Sequence, residues 1–185
     1  MMAKTNELIA KVLEEITTVL HKIDEQQIAQ FTELIAHSKR IFVLGTGRSG
    51  LVAKSFAMRL MQLGYTVYVI GETITPAVES GDLLVSVSGS GKTANILDLS
   101  TKARSIGAKV AAVTSDSQSP ITKVTDTFLI VPGATKNGNG IKSVQLLSTL
   151  FDQGVQIILD VVCSKLSLEN NVSNLEAKER HSNME

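Results

Sequence analysis

At 185 residues, 43% of them hydrophobic, the chain is long enough for one sizeable core, and no Pro-, Ser- or Gly-rich linker divides it, so a single domain over 1–185 is expected. Its 18 Lys and Arg balance 18 Asp and Glu, which leaves a formal net charge of zero and removes the basic footprint that a nucleic-acid partner requires. The single cysteine, Cys163, excludes an internal disulfide and a cysteine-based metal cluster, and no apolar run is long enough for a bilayer or a secretion signal, so a soluble protein of the reducing cytoplasm is expected, without a membrane partner.

Residues 1–38 read as two amphipathic helices. Leu8, Ile9, Val12, Leu13, Ile16, Val19 and Ile23 keep helical spacing, and Asp24 is placed to cap a second helix that carries Ile28, Phe31, Leu34 and Ile35. The pattern then changes over 39–166. Arg40 to Gly45, Thr66 to Gly71, Asp82 to Ser88, Lys109 to Thr114 and Asp126 to Val131 are short, β-branched and nearly continuous apolar runs, the pattern of strands buried on both faces. Helical patterns separate them at about Ser49 to Leu63, Lys92 to Ile106 and, more briefly, Pro120 to Val124. Alternation of this kind implies right-handed crossovers. The expected fold is doubly wound α/β, a five-stranded parallel sheet as the middle of three layers, with a helical N-terminal extension. A further helix is read from Lys142 to Leu166, apolar almost all round except for a polar stripe of Gln145, Ser148, Asp152 and Gln156. The charged segment 167–185 reads by composition as a frayed tail.

Two glycine-rich turns fall at predicted strand ends, where ligands of open α/β sheets collect. In Ser88-Gly89-Ser90-Gly91-Lys92-Thr93 the closing Gly-Lys-Thr resembles a nucleotide phosphate loop, but that motif needs a glycine where Ser86 stands, so the loop is too short to wrap a polyphosphate. Gly45-Thr46-Gly47-Arg48-Ser49-Gly50 fits the G-x-G-x-x-G spacing of dinucleotide sites, with Glu72 as a possible ribose ligand, yet glycines serve any tight strand-to-helix turn. A small phosphate is the better reading. Ser88, Ser90 and Thr93 bring three hydroxyls into six residues, Gly89 and Gly91 allow the backbone to approach, and the following helix directs free N–H groups at the same point. Ser49, at the parallel position of the first turn, can close the cup from the other side. Serine and threonine also cap helices routinely, and a solvated surface residue is the simplest reading of Lys92.

These two turns, with "GETITP" between them, "KSFAMRLMQLGYTVYVIGE", "STLFDQ" and the terminal "RHSNME", resemble the sugar isomerase (SIS) domain family and within it the 6-phospho-3-hexuloisomerases. The resemblance implies interconversion of 3-hexulose 6-phosphate and fructose 6-phosphate in the formaldehyde-fixing ribulose monophosphate route, with no organic cofactor or metal and as a homotetramer with sites shared between subunits. It implies that Ser49, Ser88, Ser90 and Thr93 hold the phosphate and that Gly47 and Arg48 lie beside the sugar. Departures from the family pattern are Lys92 and Asp152 where glutamates are usual, Leu146 where a proline is usual and Ser148 where a glycine is usual. Moving a carbonyl between C3 and C2 needs a base and a donor for the enediolate oxygen. The candidates are Asp152, Glu72 and His181. Glu72 follows a predicted strand and precedes Pro76; Asp152 is supported by the resemblance, and His181 only by it, as a residue reaching a neighbouring subunit's site. Other outcomes in the same fold are an arabinose 5-phosphate isomerase and a regulatory module that binds a sugar phosphate without turning it over. The loop Pro132 to Gly140 is expected to be mobile and to cover the bound sugar.

Overall fold

The computed structural model describes residues 4–136, 138 and 140–184. Asn137 and Asn139 of the expected cover loop, and the chain ends 1–3 and 185, lie outside the described residues. Helix α1 (Thr5–Leu20) leads into α2 (Glu25–Ala36), whose first turn is capped as expected: the Asp24 carboxylate accepts from the Gln26 N–H at 2.7 Å. Strands β1 (Arg40–Gly45), β2 (Thr66–Val69), β3 (Leu83–Val87), β4 (Lys109–Thr114) and β5 (Thr127–Ile130) then alternate with α3 (Gly47–Gln62), α4 (Ala94–Ile106) and a 3-10 helix, Pro120–Val124. The chain closes with α5 (Thr149–Glu169) and a short α6 (Asn174–Glu179).

All strand pairs are parallel, in the order β2-β1-β3-β4-β5. The runs lack alternation because both faces are covered. On one face Val43, Val85, Val113 and Leu129 pack with Val19, Phe31, Phe56, Phe151 and Val155 from α1, α2, α3 and α5. On the other, Phe42, Leu84, Val110 and Ala112 pack with Ile96 and Ala103 of α4 and Ile121 of the 3-10 helix. Successive strands move outward from β1 in one direction and from β3 in the other, so the carboxyl ends of β1 and β3 border the crevice where strand order reverses.

Three expectations are revised. The last long helix starts at Thr149, not Lys142, because Leu147 takes a left-handed backbone conformation (φ 55°) that a continuing helix excludes. The preceding turn is fastened instead to α1: the Ser143 hydroxyl donates to Glu15 Oε2 at 2.6 Å and the Val144 N–H to Oε1 at 2.9 Å. Gln145 therefore lies outside the helix that carries Asp152. The tail holds α6 because Ser173 and Glu176 form a reciprocal capping box and the Arg180 guanidinium donates to the Gln62 carbonyl at 3.3 Å. The edge strand β2 stops at Val69, two residues before Gly71.

At the opposite end of the sheet from the crevice, Arg40 grips Asp82 through Nε at 2.8 Å and Nη2 at 2.6 Å, and the Glu79 N–H donates to the same carboxylate at 2.7 Å. Burial pushes the Asp82 carboxyl up, but Arg40 and the Glu79 amide outweigh it and hold it below its ordinary 3.8. A depressed acid contributes stability above its unfolded value and loses it as pH falls through the folded value. Asp82→Asn is expected to cost about 1.5–3 kcal/mol at pH 7, with the deficit unchanged at pH 5 and closing only below 3.8; urea titrations of both proteins across that range measure it.

Candidate functional site

Three helix N-termini meet at the crevice. Thr46, Thr93 and Ser148 are the N-cap residues of α3, α4 and α5, and all three line one cavity of about 280 Å³. None of their hydroxyls caps its own helix. Routine capping therefore does not explain these side chains, and the cavity receives three positive dipole ends together with hydroxyls left for other partners. The volume is at the small end of the about 300–1,000 Å³ typical of ligand clefts, suited to a monosaccharide and small for a dinucleotide.

Sequence and fold cooperate in each turn. Gly45 and Gly50 let β1 run close against α3: a Cβ added to Gly50 would stand 2.7 Å from the Gly45 carbonyl oxygen. Gly91 takes φ 58° and its carbonyl accepts from the Ile121 N–H at 3.2 Å, locking the second turn onto the 3-10 helix. Between them the walls carry Ser88, Gly89, Ser90 and Thr93 from the β3–α4 turn and Gly47, Arg48 and Ser49 from the start of α3. Ser88 and Ser90 are buried, the Ser88 hydroxyl lies 3.4 Å from Thr93 Oγ1, and the Lys92 N–H donates to Ser90 Oγ at 3.3 Å. All seven residues expected to bind phosphate or sugar thus border one cavity. Lys92 is not among the residues that line it.

Asp152, in the first turn of α5, sits one hydrogen bond behind the wall and is 1% exposed. Its Oδ1 accepts from Ser49 Oγ at 2.7 Å and its Oδ2 from Ser148 Oγ at 2.9 Å, while Arg48 Nε stands 3.8 Å from Oδ2. Burial pushes the carboxyl above its ordinary 3.8, and the two serine hydroxyls and Arg48 offset only part of that rise. Ser49, expected among the phosphate ligands, has its hydroxyl proton on Asp152. The other two candidate bases are elsewhere. Glu72 is exposed beyond β2, its carboxylate 2.5 Å from Lys54 Nζ. His181 follows α6, which packs at the C-terminal end of α3; the cavity is at the N-terminal end of that 16-residue helix, roughly 20 Å away at 1.5 Å per residue. Within one chain His181 does not reach the site.

Sequence reading missed Thr46, Thr135, Lys136 and Leu147, which also border the cavity. The buried Thr135 hydroxyl has no hydrogen-bond partner among the described residues. The loop 132–140 carried the signal for Thr135 and Lys136 through its turn-forming composition, whereas nothing local in the sequence marks Leu147. Cys163 is no rival nucleophile: burial pushes its thiol up to about 12.

Residues 34–155 match the SIS domain family. Over nearly its whole length the chain is similar to the 3-hexulose-6-phosphate isomerase of Bacillus subtilis strain 168, with 37% identity over 98% of this chain and 100% of the other. It is 38% identical to the 3-hexulose-6-phosphate isomerase of Mycobacterium gastri, over 98% of this chain and 91% of the other. A hypothetical protein from Methanococcus jannaschii, whose crystal structure was described as inferring a 3-hexulose-6-phosphate isomerase function, superposes with a TM-score of 0.85 at 31% identity, over 97% of this chain and 99% of that one.

Proposed function

The chain belongs to the SIS domain family, and from that membership we propose that it is a sugar-phosphate isomerase which interconverts a 3-hexulose 6-phosphate and fructose 6-phosphate through an enediolate, as in the ribulose monophosphate route of formaldehyde fixation. The observation that carries the reading is the meeting of three helix N-termini and the Ser88, Ser90 and Thr93 hydroxyls in one cavity, with a raised-pKa carboxylate directly behind its wall. The phosphate ester takes the Ser88–Thr93 cup, where hydroxyls and first-turn amides of α4 donate to its oxygens. That grip positions the sugar between the turn and Arg48. Asp152 receives the proton from C3 of fructose 6-phosphate by way of a serine hydroxyl that separates it from the cavity, the C2 carbonyl becomes the enediolate oxygen, and return of the proton to C2, with transfer of the C3 hydroxyl proton to the C2 oxygen, leaves the carbonyl at C3. A carboxylate more basic than usual suits removal of a proton from carbon.

Asp152 is preferred to Glu72, whose charge is engaged by Lys54 away from the cavity. His181 enters as an assisting group from a neighbouring copy. Self-association as a homotetramer is part of the reading, and it is supported by exposed Leu8, Ile9 and Leu13 on α1, Leu51 and Met58 on α3, and Ile157 and Val161 on α5. Light scattering on the purified protein measures the copy number.

The direct test is incubation with fructose 6-phosphate in deuterated water. Deuterium at C3 and formation of the 3-ketose are expected. Turnover of arabinose 5-phosphate in its place would reassign the substrate. Thermal stabilisation by fructose 6-phosphate with no label at all would leave a binding module.

A further inference from the structure

The Gly89 carbonyl accepts three hydrogen bonds, one more than a carbonyl oxygen has lone pairs. The Ser115 N–H donates to it at 3.0 Å, the Ser115 hydroxyl at 2.8 Å and the Thr114 hydroxyl at 3.2 Å. Thr114 ends β4 and Ser115 follows it; both are buried, and neither borders the cavity. Serine and threonine hydroxyls commonly bond to backbone within a few residues, whereas this acceptor is 25 residues from Thr114 and 26 from Ser115. Thr114 Oγ1 lies 3.4 Å from the fully buried Ser119 hydroxyl, so Ser119 can supply the proton between them while Thr114 directs its own at Gly89. The Ser88 N–H donates to the Val113 carbonyl at 3.0 Å and fastens the same turn to β4 once more.

The consequence falls on the other side of the turn. A trans peptide directs its N–H opposite to its C=O, and the described residues contain no cis peptide. With the Gly89 carbonyl aimed at the end of β4, the N–H of the same peptide unit, which belongs to Ser90, is aimed away from β4. In the order β2-β1-β3-β4-β5 the opposite neighbour of β3 is β1, and the cavity lies between the turns that follow those two strands. No acceptor among the described residues takes the Ser90 N–H. We propose that Thr114 and Ser115 are positioning residues for phosphate binding: by fixing and polarising the Gly89–Ser90 peptide they aim the Ser90 N–H at an oxygen of the bound ester, which they themselves never touch. Hydrogen bonds in series polarise one another, so donors on the Gly89 carbonyl make the Ser90 N–H a stronger donor. A charged phosphate oxygen is the acceptor that gains most from it. Ser90 therefore contributes its main chain to the grip, and the strength of that contact is set from β4.

The inference rests on the functional reading above, and its test separates the two. In amide NMR spectra of the nitrogen-15-labelled wild type titrated with inorganic phosphate, the Ser90 resonance is expected to move downfield, and in Ser115→Ala that movement is expected to shrink. Calorimetry with inorganic phosphate and steady-state kinetics with fructose 6-phosphate are run on the wild type, Ser115→Ala, Ser115→Thr and Thr114→Val. Loss of one neutral hydrogen bond corresponds to about a two- to tenfold change. Ser115→Ala and Thr114→Val are each expected to weaken inorganic phosphate by that factor and to raise KM in step with kcat retained, and Ser115→Thr, which keeps the hydroxyl, to restore both constants. A Ser90 resonance that phosphate leaves unmoved in the wild type overturns the proposal. So does Ser115→Ala that loses kcat or melting temperature while its phosphate affinity is unchanged, since the role is then structural; should Ser115→Ala fail to fold, Thr114→Val decides by the same measurements. A wild type whose Ser90 amide responds to phosphate as expected, but which turns over no sugar phosphate, removes the functional reading and leaves the positioning role standing.

Discussion

Asp152→Asn is expected to lower turnover of fructose 6-phosphate by about 10²–10⁴-fold, the range a positioned general base contributes, while its dissociation constant changes by no more than a few fold. The proposed phosphate cup is built from the β3–α4 turn and does not include Asp152. The same substitution has a stability signature of the opposite sign. Burial raises the Asp152 carboxyl above 3.8, so the folded state favours the protonated form. For such an acid, stability declines as pH rises from the unfolded value to the folded one and stays reduced above it. Asparagine carries no charge to desolvate. Its gain at pH 7 is read as a melting temperature above that of the wild type, and the advantage disappears below pH 3.8. The wild-type activity should also fall on the acid side at a pH above the ordinary aspartate value, because the base must be ionised. Stopped-flow or coupled kinetics with parallel melting curves read all of these. Unimpaired turnover in Asp152→Asn would remove that residue from the mechanism.

The largest structural effect is expected at Gly91. Its φ of 58° is left-handed, and an added Cβ would lie 2.4 Å from Ser119 Oγ, 2.5 Å from Ser119 Cβ and 2.9 Å from Ile121 Cγ2, with both residues fully buried. Neither neighbour is a flexible side-chain end, so Gly91→Ala has to displace the 3-10 helix or the phosphate turn. Left-handed backbone costs about 1–2 kcal/mol for a residue with a Cβ and overpacking about 1–3 kcal/mol. Together these lower the melting temperature by on the order of 10 °C. Binding of inorganic phosphate is expected to weaken at the same time, since the turn's amides move. Gly47 supplies the control. It has the same φ of 58°, but nothing lies within 4 Å of an added Cβ. Gly47→Ala therefore bears the backbone cost alone. Equal destabilisation by the two substitutions would show that backbone strain, not the contact with Ser119, governs the turn.

How much of this was legible in the sequence depends on the range of the interaction. β1 and β4 have the ends read from their apolar runs, because burial on both faces leaves no alternation to misplace. Asp24 was recognisable as a cap because its partner is two residues away. The Ser88–Thr93 turn was recognisable because its glycines and hydroxyls act through local backbone geometry. Asp152 could be nominated from resemblance, but its hydrogen bond to Ser49 spans 103 residues and no local pattern encodes it. The start of α5 was misplaced because Lys142 to Ser148 has helical periodicity. Glu15 on α1, 128 residues from Ser143, diverts that segment, and Leu147 takes a conformation no leucine advertises.

By itself the sequence determined the order of elements, the parallel sheet and the two turns at its carboxyl edge, since each follows from which side chains must leave water and which residues tolerate a tight bend. Tertiary structure alone decided that three helix ends share one cavity, that Glu72 lies outside it, and that the Ser49 and Ser148 hydroxyls turn toward Asp152. Those outcomes depend on distances between segments far apart in the chain, and a hydroxyl's direction is set by the acceptor that packing brings to it.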